Sequence, residues 1–330
     1  MMVDLPSYGP TNRIRLGSFL RYRPLLLDYK GNEKLMNFQV KCVLTPSDIP
    51  FEKLRADKQD LLFVDNNNEL IPYWIEKADS TEIIVWLKFS EIIPGKEVFW
   101  LYYGNGDFHG ASDARTTFEF FEDWENSRDS NWVNGGGFTS ADWEYATPAL
   151  KTGNYRLHFK TGRGDREWNN MWWKGQNFTD FRFIAYLRAD YSADDAGVLF
   201  RSQGSEVGSF RNQPGYRICL PLSSTGYFRL YRIDSDGGVT TLASYSAPDS
   251  TDTVRFEIMC YGSSIKVRIE RPPRTYLTTL EATDTMWSSG YIGLGAPEWN
   301  SDRNPSFDTF LVAKYTSPEP SVSVGAEENP

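Results

Sequence analysis

The stretch Glu82-Ile83-Ile84-Val85-Trp86-Leu87-Lys88-Phe89 alternates as a half-buried β-strand requires. Successive side chains of a strand point to opposite faces, so Ile83, Val85, Leu87 and Phe89 share one face. Working outward, the same signature recurs in Tyr22–Asp28, Phe38–Leu44, Leu61–Val64, Leu70–Ile75 and Glu97–Tyr103. Asn66-Asn67-Asn68, Lys77–Ser80 and Pro94-Gly95 supply turn chemistry between these runs. Only Pro50–Ala56 reads as a helical turn. Short strands meandering in this way cover their apolar faces best as a sandwich, which assigns residues 1–115 to a first β-domain.

Tyr103-Gly104-Asn105-Gly106-Asp107 and the polar Ser112–Thr117 interrupt the pattern and mark a boundary. Strand signals then resume at Phe118–Glu122, Tyr155–Phe159, Asp180–Arg188, Gly197–Ser202, Tyr216–Leu220, Tyr227–Ile233, Val239–Tyr245, Thr253–Cys260, Ile265–Glu270, Tyr291–Leu294 and Phe307–Tyr315. Val254-Arg255-Phe256-Glu257-Ile258 sets apolar residues against charges, which predicts a sheet with one wet face. So many strands without a helical period predict a two-sheet jelly roll over residues 116–316. Residues 317–330 form a tail whose Val322 and Val324 alternate, either frayed or returning as a strand to the first domain. The fold class is all-β, with two β-sandwich domains.

Composition narrows the function. At 330 residues the chain suits two cores better than one. The formal charge is −9 without any Lys/Arg block, so the counterion release that drives nucleic-acid binding has no basic track to act through. No stretch approaches the roughly 20 apolar residues of a membrane helix. The start, Met1-Met2-Val3-Asp4-Leu5-Pro6, lacks the basic and apolar regions of a signal peptide. A processed chain, or one carried outward by assembly into a virus particle, reads this way. Cys42, Cys219 and Cys260 sit in strand-like runs at unrelated spacings, as buried small hydrophobes do.

Two segments carry resemblances. Arg55-Ala56-Asp57, Asp60–Asp65, Leu70–Glu76, Val85-Trp86-Leu87 and Leu101–Asn105 resemble a β-domain family of unknown function that opens prokaryotic surface proteins and some phage tail proteins. Phe120–Trp124, Gly197–Arg201, Gly215-Tyr216-Arg217, Gly290–Leu294 and Phe307–Phe310 resemble the concanavalin A-like lectin/glucanase superfamily in its laminin G-like branch. The second resemblance implies a jelly roll and a carbohydrate ligand. Its glucanases hold paired carboxylates on alternate positions of one strand, and no such run occurs here. Related enzymes acting on oxidised disaccharides carry an acid after the Gly-Tyr pair, where this chain has Arg217. In this superfamily the opening and closing strands pair, so Glu122 or Asp123 could meet Asp308 and chelate a structural calcium ion; no cofactor is otherwise required.

Other chemistries fail on inventory. The two histidines, His109 and His158, cannot build a His-rich zinc site. Neither a Gly-x-Ser-x-Gly elbow nor a phosphate-binding glycine loop is present. What remains is an aromatic and polar surface. Trp168-Asn169-Asn170-Met171-Trp172-Trp173 reads as a loop of indoles, and Glu298–Asn304, with Trp299, Asp302 and Arg303, as a second. Indole faces stack on sugar C–H faces while Asn, Asp and Arg bind hydroxyls, the combination a glycan site needs. Arg201, Arg217, Tyr227, Arg229 and Tyr231 are placed on the wet face nearby; packing of the tryptophans into the core is the alternative. The sequence predicts a non-catalytic carbohydrate-binding or adhesive module, extracellular or on a virion tail or fibre, with a glycan as partner. A glycoside hydrolase or lyase and a purely structural oligomer-forming subunit are the alternatives.

Overall fold

The computed structural model describes the chain except residues 1, 5–12, 127, 136–142, 160–167, 190–195, 206–209, 222–225, 248–251, 273–274, 298–304 and 327–330. It is all-β, and its residues divide into two compact units: Met1–Glu119 with Thr316–Pro330, and Phe120–Tyr315.

The first unit contains β1 (Met2–Asp4), β2 (Arg13–Arg15), β3 (Arg21–Tyr29), β4 (Leu35–Leu44), β5 (Leu62–Val64), β6 (Tyr73–Ala78), β7 (Ile83–Ile92) and β8 (Gly95–Tyr103). Strands β4-β7-β6 form one sheet, and β3-β8-β5 form a second that the chain's last strand extends. A shared core between the sheets includes Leu25, Leu27, Val40, Phe63, Val85, Leu87, Phe99 and Leu101. The expected face Ile83, Val85, Leu87 and Phe89 points into it. The helical turn within 50–56 is a single 3-10 turn, Phe51–Lys53.

The residues that carry the first resemblance act here as braces. The buried Asp60 carboxylate accepts from Arg55 N (2.9 Å) and Gly104 N (3.2 Å), tying two distant loops. The Tyr73 hydroxyl donates to the Leu61 carbonyl and accepts from Ala111 N. Trp86 Nε1 donates to Glu76 (2.8 Å), and Asp65 caps the 65–69 turn. The Asp60, Tyr73 and Glu76 bonds satisfy polar groups that would otherwise be left buried without partners, while Asp65 holds an exposed turn.

The second unit begins with β9 (Phe120–Glu122), β10 (Trp132–Gly135), β11 (Trp143–Ala146), β12 (Arg156–Phe159), β13 (Trp168–Phe178), β14 (Phe181–Ala189) and β15 (Gly197–Ser202). It continues with β16 (Gly215–Cys219), β17 (Tyr227–Ile233), β18 (Val239–Ser246), β19 (Val254–Tyr261), β20 (Ser264–Arg271), β21 (Thr275–Thr283), β22 (Gly290–Pro297) and β23 (Pro305–Lys314). Strands β10-β13-β22-β15-β16-β17-β18 form a seven-stranded sheet; β11-β12-β23-β14-β19-β20-β21, with β9 on β23, form an eight-stranded one. All named pairings are antiparallel, and Phe183, Phe200, Tyr216, Phe256, Ile292 and Phe310 fill the space between the sheets. Trp168–Trp173 is therefore strand, not the loop its composition suggested. The expected wet face at Arg255 and Glu257 is also corrected. Both are buried in a ladder in which Glu257 accepts from Arg182 and Arg255 (2.8 Å each) and Glu270 from Arg255 and Arg268.

Strand directions sort the connections of this unit into two poles. Residues 179–180, 203–205, 210–214, 234–238, 262–263 and 284–289 lie at one, where the chain also enters β9 and leaves β23. Arg201 organises this tethered pole. It is fully buried, at 0% exposure, on a β-bulge with φ 45°. Its Nε and Nη2 donate to Thr179 O, and its Nη1 donates to Gly262 O and Trp287 O at 2.7–3.2 Å overall. One guanidinium thus ties the β13–β14, β19–β20 and β21–β22 connections, which its five rigid N–H donors permit.

The last strand, β24 (Ser321–Val324), lies beyond the second unit and pairs antiparallel with β3 of the first. Val322 and Val324 pack against that unit's core. Among the described residues no helix is long and apolar enough to cross a membrane.

Replacing Arg201 by Leu strands buried carbonyls without donors, and the expected cost is about 3–5 kcal/mol. Calorimetry should show the second unit's transition about 10 °C lower, with Arg201→Lys recovering only part of it.

Candidate functional site

The described strands end at the opposite pole at Gly135, Phe159, Ala189 and Pro297, and residues 136–142, 160–167, 190–195, 222–225, 248–251 and 298–304 are outside the described residues. Trp299, Asp302 and Arg303 fall among them. Trp168, which opens β13, pairs with Pro297, the last described residue of β22.

The other expected glycan ligands are placed elsewhere. On the outer face of the seven-stranded sheet, Trp172 pairs with Gly293, Gly293 with Leu199, Leu199 with Arg217, and Arg217 with Tyr231, giving one row across the strands. The β15–β16 connection lies over this row. Phe210 clusters with Leu199, Cys219, Tyr231 and Ile233. The Arg217 guanidinium sits 5.3 Å from the Phe210 ring and 4.7 Å from the Tyr231 ring, and donates to Phe210 O. Trp172 is 2% exposed, with Gly204 of this connection against its indole nitrogen. Trp173 points the other way, into the core against Phe120 and Phe178, and its Nε1 donates to Asp129 (2.8 Å). Arg201 is the internal clamp described above. Trp172, Arg217 and Tyr231 thus pack beneath a local connection that covers the sheet face expected to be wet, while Trp173 packs on the core side and Arg201 is spent as the clamp.

Where that cover ends, near the loop pole, an accessible patch remains. Tyr227 follows residues 222–225 and Ser246 precedes 248–251, and the two pair across β17 and β18. Tyr227 is 40% exposed. The Arg229 guanidinium lies 5.4 Å from the Tyr227 ring centroid and donates to the Tyr231 hydroxyl (3.4 Å). Arg229 pairs with Ser244, which is exposed like Ser246. The patch combines an aromatic ring, a guanidinium held by cation–π contact and two hydroxyls. Sequence reasoning named Tyr227 and Arg229 but missed the serines, whose position depends on a bulge between Leu230 and Tyr231.

The acidic residues are occupied by structural duties. Asp308 is fully buried, and its Oδ2 accepts from Leu150 N and Lys151 N (2.6 Å each) while Oδ1 accepts from the Thr309 hydroxyl. Glu122 accepts from Trp124 N (3.1 Å) and Trp132 Nε1 (3.4 Å). Glu125 accepts from Asn154 N and Tyr155 N at 2.5 Å each. The opening and closing strands do pair, with Glu122 opposite Phe310, but the carboxylates hold backbone instead of converging on Asp123. Among the described residues no group of three or more His, Cys, Asp or Glu could hold a metal ion. Asp308, one of the two residues expected to chelate calcium, is engaged by backbone N–H groups and the Thr309 hydroxyl.

Residues 57–136 match the domain of unknown function DUF2341. The match covers the braces of the first unit and runs on into the opening strands of the second. No curated protein matches the chain. Among solved structures, carbohydrate binding module CBM66 from Bacillus subtilis is 14% identical with a TM-score of 0.40, over 56% of this chain and 96% of that one. Lectin I-B4 from Griffonia simplicifolia is 12% identical at 0.44, covering 60% and 99%. A Bacillus subtilis protein of unknown function with a galectin-like fold is 12% identical at 0.46, covering 60% and 96%. At scores this low the likenesses are recorded without weight, and the architecture rests on the strand pairing above.

Two outcomes follow. Trp172→Ala should lower stability by about 3–5 kcal/mol, as emptying a buried indole site does, measured by denaturant unfolding. Burial also pushes the Asp308 carboxyl up to about 6, above its ordinary value near 4, so the folded state holds this proton more tightly than the unfolded one. Its contribution therefore grows as pH falls through 6 and is lost as pH rises. Between pH 7 and pH 5 the wild type should gain about 1 kcal/mol relative to Asp308→Asn. Parallel pH profiles for the two proteins would contradict this.

Proposed function

We propose that the second unit is a non-catalytic carbohydrate-recognition module and that the chain serves as a binding or adhesive component on a cell surface or virion. The observation that carries the reading is the Tyr227–Arg229–Ser244–Ser246 patch, set beside the loop pole. One face of the Tyr227 ring takes the Arg229 guanidinium, and the rest of the ring stands open to a pyranose C–H face. Guanidinium and serine hydroxyls supply donors and acceptors at the ring's edge, as hydroxyl-rich ligands demand. The same chemistry recurs in the sequence at Trp299-Asn300-Ser301-Asp302-Arg303 and Asp190-Tyr191-Ser192.

The engagement of Glu122, Glu125 and Asp308 by backbone and indole donors supports recognition over cleavage. Glycoside hydrolysis needs one carboxyl poised to protonate a leaving group and a second facing the sugar ring. These three instead hold segments of their own chain.

The test is a panel of immobilised bacterial and host polysaccharides probed with the full chain. At least one glycan should be retained without release of reducing ends. Tyr227→Ala should weaken that retention about tenfold, the loss of one ring contact, with melting unchanged. Trp299→Ala should weaken it as well. Product formation in the wild type, or undiminished retention by Tyr227→Ala, would defeat the proposal.

A further inference from the structure

The first unit is built from two separated pieces of chain, and the whole second unit lies between Glu119 and Thr316. The second unit opens with β9 and ends with β23, which pair side by side with Phe120 opposite Val312. The chain thus enters and leaves this sandwich at one pole. Beyond Thr316 a short segment leads to β24, whose four residues pair with β3 in the register Ser321 with Asp28 through Val324 with Leu25. The closure continues past the strand: Gly325 N donates to Pro24 O (2.8 Å), and Arg23 Nη1 donates to Gly325 O (2.8 Å). Val322 and Val324 seat against the first unit's core.

We propose that β24 is a mechanical clasp, which holds the second unit outside the load path between the chain ends and admits tension to it only on opening. With β24 paired, a pull applied at the ends passes from β3 directly into β24. The segment 120–315 hangs as a closed loop that carries none of it. The direction of loading fixes how the clasp yields. The chain toward residue 1 leaves β3 at Arg21, and the chain toward residue 330 leaves β24 beside Pro24, so both exits lie at the same end of the antiparallel pair. Tension then peels the pairs one after another from Val324 to Ser321 rather than shearing them together. A four-residue edge strand peeled in this way opens at low force and recloses, because the frame of β3-β8-β5 does not need it in order to stay folded. Once open, the strand transfers load through Thr316 to Tyr315 and hence to the second unit.

The experiment is force spectroscopy on the full chain with handles at its two ends. The expected trace has a first, reversible lengthening of about 35 Å, the span of residues 316–325, before any other step. A later step of roughly 670 Å reports extension of residues 120–315. Val322→Asp combined with Val324→Asp should abolish the short step while the thermal transition of the second unit stays in place. Leu26→Cys with Ser323→Cys, which face each other in the register, should suppress both steps when oxidised and restore both when reduced. A long step with no short one before it in the wild type would overturn the proposal. So would a short step that survives the double aspartate variant.

Discussion

One pole of the second sandwich depends on the fully buried cation of Arg201. Arg201 leaves its strand at a bulge and spends its guanidinium on the carbonyls of Thr179, Gly262 and Trp287. Those carbonyls belong to three connections far apart in sequence, so the arginine converts separate turns into one rigid cap. The backbone had to be cleared for it. A Cβ on Gly215 would come within 2.7 Å of Ser202 Cα, and one on Gly290 within 2.4 Å of the Arg201 carbonyl carbon. Gly215 also holds φ 137°, a conformation side chains rarely adopt. A charge taken out of water is tolerable only when its donors are met, and here each carbonyl partner comes from backbone that itself needed a donor.

Electrostatics braces the outer faces in the same spirit. Arg182, Glu257, Arg255, Glu270 and Arg268 alternate in sign across β14, β19 and β20, so each carboxylate meets two cations and each buried arginine at least one acid. Asp308 and Glu125 fasten the β11–β12 connection by capturing successive backbone N–H groups. In the first unit, Asp60, Tyr73 and Glu76 do comparable service. Much of the polar sequence that looks functional is therefore occupied in holding irregular backbone, whose N–H and C=O groups find no partner in a ladder.

How far the sequence could be read follows from where period-2 alternation survives. It survives in β7, where Ile83, Val85 and Leu87 face the core, and the two-sandwich architecture was visible from strands of this kind. It fails in β13. There Trp172 faces outward, buried because Gly204 and Phe210 of the β15–β16 connection cover that face, and Trp173 faces inward, half-buried against the core. Two adjacent indoles erase the alternation, and the strand resembles a loop. Arg255 and Glu257 misled for a related reason: charge pattern signals a wet face only if nothing pairs and covers the charges. The accessible patch was half legible. Tyr227 and Arg229 could be named from composition, but with unbroken pairing from the hairpin turn Tyr227 would face Tyr245. The bulge adds a residue and brings Ser246 there instead.

The separation of the two poles bears on how such a protein can change over generations. Arg201 and its carbonyl partners all sit at the tethered end, and none belongs to the connections at the other. Substitutions, insertions and deletions at the loop end leave that keystone untouched, so heritable variation there is decoupled from the frame. A lineage could rewrite those connections alone and keep the sandwich that carries them.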